Sequence, residues 1–157
     1  MTRLMIDAVH AGDVLPELTY DVSATTVVLG ALAARDWRPM HHDYDFAVNR
    51  NGTQDIFMNT PNQAAWFERF VTDWTGPTGR LGRMKFRMSG SVFPGDTMTM
   101  RANVEKVETD AVGCGWVELA VTLSVRDTVA TTCTVRVALP AGDGDNPWKR
   151  RGDQWQP

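Results

Sequence analysis

Hydrophobic and polar positions follow two different periods along this chain. Between Pro61 and Thr75, Trp66, Phe67, Phe70, Val71 and Trp74 recur at three- and four-residue spacing, which predicts a helix with one broad apolar stripe. Thr60 fits its N-cap, Pro61 fits the first helical position, where a missing N–H costs nothing, and Gly76-Pro77 ends it. It is the longest and most apolar helix in the sequence, so it is taken as central. From residue 80 onward the period becomes two. Met84, Phe86 and Met88 share one face of a strand over 83–88, and further strands are expected over 97–104, 116–126 and 129–139. The connections are a Phe93-Pro94-Gly95-Asp96 turn, the 110–115 stretch and Asp127-Thr128. Ahead of the central helix, 19–22 reads as a strand. Ser23 caps a short apolar helix over 24–34, and 43–50 forms a second short helix. Residues 1–12 read as a polar lead-in. One small strand, then helices, then an antiparallel meander predicts an α+β fold: a curved antiparallel sheet wrapped around the helix at about residues 61–75.

The length of 157 residues and the apolar fraction of 43% suit one domain with a real core, spanning 1–140. Residues 141–157 are rich in Gly, Asp and Pro but carry Trp148 and Trp155, so they are expected to be flexible or packed on a partner subunit. A net charge of −3 and a pI near 5.5 leave no electrostatic footprint for nucleic acid or an anionic membrane. No apolar run suits a signal peptide or a membrane span, which predicts a cytoplasmic protein. Cys114 and Cys133 lack Cys-x-x-Cys spacing and read as reduced packing residues. Eight Met and six Trp give a soft, bulky apolar inventory suited to a large hydrophobic ligand or a subunit interface.

The candidate chemistry lies between the first two helices, in Asp36-Trp37-Arg38-Pro39-Met40-His41-His42-Asp43. Two of the three histidines stand there with a carboxylate on either side. His41 can move protons near neutrality and Asp36 can act ionised beside it. On spacing alone the plainer readings, a turn aspartate and a hydrogen-bonded surface histidine, carry more weight. His42 diverges from its neighbour and is given a supporting role with Asp43. Residues adjacent in sequence make a poor tetrahedral site, so no metal is expected.

These residues resemble the MaoC-like hotdog-fold enoyl-CoA hydratases and dehydratases, whose Asp-x-Asn-Pro-hydrophobic-His motif is followed by an acid and Phe-Ala. Here it stands as Asp36 to His41 with Asp43, Phe46 and Ala47 after it; Gly12 to Pro16 and Val92 to Thr97 match further family features. Within that family, Arg35-Asp36, His41-His42-Asp43, Asp55-Ile56-Phe57 and 71–77 are similar to the small single-hotdog subunit of the actinobacterial steroid side-chain enoyl-CoA hydratase. The resemblance implies a single hotdog domain that hydrates trans-2-enoyl-CoA to (R)-3-hydroxyacyl-CoA, or runs the reverse dehydration, with bulky steroid chains among its substrates. It implies catalysis by Asp36 and His41 on one shared water. Coenzyme A would be part of the substrate, with no separate cofactor. Two departures stand out: Arg38 replaces the motif's Asn, and Asn59-Thr60-Pro61-Asn62 stands where many relatives have His-Gly.

The free N–H groups at the start of the central helix suit the charge that develops on the thioester oxygen. Asn62 and Gln63 are the expected donors, with Thr60 as a third. Arg80, Arg83, Lys85 and Arg87 form a basic stripe that suits coenzyme A phosphates and equally reads as a solvated sheet face. Two other functions stay open: a hotdog thioesterase using Glu68, and a non-catalytic subunit of a heteromeric hydratase. One short sheet leaves an edge uncovered, so a homodimer, or a heteromer with a second MaoC-like subunit, is expected.

Overall fold

The structure, a computed structural model, describes residues 4–157. Five antiparallel strands form one sheet in the order β1-β3-β4-β5-β2: β1 (Leu18–Asp21), β2 (Arg80–Met88), β3 (Thr97–Thr109), β4 (Gly115–Val125) and β5 (Thr128–Leu139). Among the described residues, three α-helices precede β2: α1 (Ala24–Ala33), α2 (Tyr44–Asn49) and α3 (Thr60–Thr75). This is the single hotdog arrangement expected of the chain. Alternation along β3, β4 and β5 buries Met98, Met100, Val104, Val117, Leu119, Val121, Val135 and Val137, and these pack with Phe67, Phe70 and Val71 of α3. Phe67 meets Phe86 of β2 with ring centroids 5.3 Å apart. Trp66 and Trp74, on the flanks of the stripe, are only partly buried. Inside this apolar layer, the Thr131 hydroxyl donates to Gln63 Oε1 at 2.8 Å, so these two buried oxygens are partnered.

Both helix caps on the way to the site are written locally. Ser23 accepts from Thr26 N–H at 3.1 Å and caps α1 as expected. At the other end Arg35 takes a left-handed φ of 52°. Its N–H donates to Leu32 O, and that of Asp36 donates to Ala31 O at 2.9 Å. This Schellman turn fixes the direction in which Asp36 leaves the helix. The β4–β5 hairpin turns on Arg126 and Asp127, both at positive φ, which matches the twist of the paired strands.

Three expectations change. The lead-in is not wholly polar: residues 1–3 lie outside the described residues, but Ile6 and Val9 are buried, and Ile6 N–H donates to Pro140 O. The tail rests on its own chain. Trp155 lies against Trp116 at 4.9 Å, the Arg80 guanidinium sits 3.6 Å over the Trp155 ring, and Trp148 Nε1 donates to Gly79 O. Arg80 is therefore not part of a basic stripe. A bulge between Leu81 and Arg83 offsets it from its neighbours, and it donates to the Pro147 and Arg150 carbonyls of the tail. Gly82 sits at this bulge because a Cβ there would lie 2.7 Å from both Trp116 and Pro157.

Candidate active site

Pro39 opens a single 3-10 turn, Pro39–His41, after the extended Arg38. The turn carries His41 inward to 3% exposure and leaves His42 outside, where its Nε2 lies 3.3 Å from Trp37 O. Asp43 caps α2 by accepting from Phe46 N–H. His42 and Asp43 thus sit in the frame that holds His41. The His41 Nδ1 lies 2.8 Å from Phe57 O. A carbonyl only accepts, so Nδ1 carries the hydrogen, and in the neutral ring Nε2 is a free acceptor. That nitrogen faces Asp36 Oδ2 at 3.6 Å. Nε2 can accept a hydrogen from a water about 2.8 Å away, beside this carboxylate.

The Asp36 carboxylate is held from two further directions. Arg38 grips it as a fork, Nε to Oδ1 and Nη2 to Oδ2, each 2.9 Å. Asn59 Nδ2 donates to Oδ2 at 3.0 Å. These bonds, the Arg38 fork first and the Asn59 amide second, hold the carboxyl far below the usual carboxylate range. Asp36 is an anion at any physiological pH.

Asn59 also sets the start of α3. It, not Thr60, is the N-cap: its Oδ1 accepts from Asn62 N–H at 3.0 Å, and Pro61 falls at the second helical position. This shifts the expected oxyanion donors. The Asn62 N–H is taken by the cap and the Gln63 N–H by Asn59 O. The Asn62 side chain is buried against α1, donating to Thr26 O at 3.1 Å, and the close approach requires Gly30 opposite. Thr60 keeps an N–H without a partner among the described residues, and the Gln63 amide nitrogen is likewise unpaired beyond its bonded oxygen.

These groups meet at a cavity of about 420 Å³. Arg38, Met40, His41, Phe57, Asn59, Thr60 and Gln63 line one side, and Met88 with Ser89, Gly90 and Ser91 the other. Asp36 lies behind this surface, its side chain 10% exposed against 64% for Arg38. Arg83 and Lys85 line a separate concavity with Glu118, Thr134 and Arg136, and Arg87 is exposed on the same strand face. Glu68 is exposed and does not line the His41 cavity.

No family model matches the chain. It is 38% identical over 96 residues to the 3-oxo-4,17-pregnadiene-20-carboxyl-CoA hydratase beta subunit of Mycobacterium tuberculosis, a match covering 61% of this chain and 74% of that protein. It also aligns with the ChsH1-ChsH2 complex of the same organism at 32% identity and a TM-score of 0.77, over 83% of this chain and 98% of the other. The chain belongs to the MaoC-like hotdog hydratases and dehydratases. A MaoC-like dehydratase from Rhodospirillum rubrum shares the fold at 16% identity, with a TM-score of 0.74 over 87% of this chain and 96% of the other.

Within this MaoC-like site, sequence reasoning missed two residues. Asn59 is hidden because Thr60 as cap would put Pro61 at the favoured first helical position, although Asn is the better cap by residue type. Arg38 was visible as a departure from the family motif, but nothing in the sequence aimed its guanidinium back at Asp36. The Ser89 to Ser91 wall carried no signal at all.

Proposed function

We propose that this chain hydrates trans-2-enoyl-CoA thioesters to (R)-3-hydroxyacyl-CoA, and runs the reverse dehydration, with Asp36 and His41 as the acid/base pair. The approach of Asp36 Oδ2 to His41 Nε2, 3.6 Å, carries this reading. His41 Nε2 takes a proton from water as its oxygen bonds to the β-carbon. The imidazolium then returns a proton to the α-carbon, so that one water is added across the double bond. Asp36 stays ionised throughout and stabilises the imidazolium. The negative charge on the thioester oxygen falls to the Thr60 N–H at the positive end of α3, with the Gln63 amide beside it. No cofactor is required, since coenzyme A belongs to the substrate.

The relatives' names support a finer reading. One is the beta subunit of a hydratase named for a steroid thioester, and another structure is of a two-component complex. We infer that this chain works on bulky acyl groups as one half of a heteromer with a second MaoC-like subunit. The cavity rim of Met40, Met88 and Phe57 suits an apolar chain.

The test is the loss of enoyl-thioester absorbance over short, long and steroid enoyl-CoAs, with the chain alone and mixed with a MaoC-like partner. Absorbance loss giving the (R)-alcohol, without release of free thiol, is expected. Thiol release from saturated acyl-CoA that disappears in Glu68→Ala would assign a thioesterase instead.

A further inference from the structure

Arg38 lines the cavity, whereas Asp36 lies behind it, and the guanidinium stands over the carboxylate. The two bonds of the fork and the Asn59 amide leave little of the carboxylate free. Oδ2 accepts from Arg38 Nη2 and from Asn59 Nδ2, which accounts for both of its lone-pair directions, and Oδ1 accepts from Arg38 Nε. Among the described residues, the ionisable groups facing Asp36 are Arg38 from its own loop and His41 from the 3-10 turn. The element leading into α3 contributes the neutral Asn59 amide, and α1 the Ala31 carbonyl that receives the Asp36 N–H.

We propose that Arg38 is a positioning residue that clamps Asp36 as a permanent anion beside His41 Nε2, so that His41 alone carries the proton of the hydration reaction. This rests on the assignment of Asp36 and His41 to catalysis. It goes further by making Arg38 the group that keeps Asp36 ionised. A carboxylate whose lone pairs are filled by a guanidinium and an amide is a poor proton acceptor, but it is a fixed counter-charge for an imidazolium 3.6 Å away. Arg38 acts through Asp36 and needs no contact with the thioester. An Asn in its place, as in the family motif, is neutral and cannot form the same charged fork.

The experiment is a carboxyl-carbon NMR titration of the full chain labelled at aspartate, with the Asp36 resonance identified by its loss in Asp36→Asn. In the wild-type chain it is expected to stay at the ionised position from neutrality to about pH 3.5, and in Arg38→Gln to move with a midpoint raised toward the ordinary value of about 3.9 but kept below it by the remaining Asn59 amide. Arg38→Lys, which keeps the charge and loses the fork, is expected between the two; Arg38→Asn repeats the test with the motif's own residue. Arg38 is exposed, so its replacement leaves the core intact. A wild-type resonance that titrates in the ordinary range, or an Arg38→Gln trace that overlays the wild type, overturns the clamp. Enoyl-CoA turnover that survives Asp36→Asn and His41→Ala overturns the catalytic assignment instead, and leaves the titration result standing by itself.

Discussion

Asn59 joins the fold to the chemistry, and its two halves can be separated by mutation. The side chain is 1% exposed. Its oxygen caps α3 by accepting from Asn62 N–H, and its nitrogen donates to the Asp36 carboxylate. Losing a side-chain N-cap costs about 1 kcal/mol. Losing a hydrogen bond to an ionised group costs about 1.5–3 kcal/mol. Asn59→Ala removes both and is expected to lower stability by about 2.5–4 kcal/mol. Asn59→Ser can still cap but is too short to reach Asp36, so it should recover about 1 kcal/mol of that loss. Urea denaturation reads these differences as shifts in midpoint at constant slope. Hydration rates should fall in both variants alike, because both loosen Asp36. A Ser variant with wild-type turnover would show that the Asn59 amide does nothing for Asp36. Equal midpoints for Ser and Ala would show that the cap is not the source of the stability.

Gly30→Ala should change sign with its background. A Cβ there would lie 1.9 Å from Asn62 Nδ2, so the strain and the lost bond to Thr26 O outweigh the gain of about 1 kcal/mol in helix propensity. In an Asn62→Ala chain the same change should stabilise, and thermal melts of the four chains decide it. Arg35→Gly should stabilise by about 1 kcal/mol, since the position already holds a left-handed φ, with Asp36 left in place; a melting temperature at or below wild type would refute this. The pH dependence follows from Asp36. Its folded-state carboxyl is held below its unfolded value, so its contribution is fully present above the ordinary carboxylate range and is lost as pH falls through the depressed folded value. The stability gap between wild type and Arg38→Gln should therefore begin to narrow as pH falls below about 5 and go on narrowing down through the depressed folded value; a gap constant with pH would contradict it.

The parts of this molecule legible in its sequence are those that depend on neighbours along the chain. The aromatic spacing in α3, the alternation in β2 to β5 and the Ser23 cap each need only a few consecutive residues, and each stands where expected, though β3 runs on to Thr109. What stayed hidden depends on residues far apart. Asn59 shows no sign of its second role until its amide is found donating to Asp36, 23 residues earlier in the chain. Arg80 reads as one of four stripe cations until a bulge offsets it and the tail, some 70 residues on, covers it with Trp155. The Asp36–His41 pair was legible through its likeness to a family, since spacing alone did not separate it from an ordinary turn.

The most direct measurement is turnover of a trans-2-enoyl-CoA by the wild-type chain, in its working assembly, against Asp36→Asn and His41→Ala. With the fold intact by circular dichroism, each variant is expected to fall by about 10²–10⁴-fold. Turnover that either variant leaves unchanged would contradict the assignment of this pair to the chemistry.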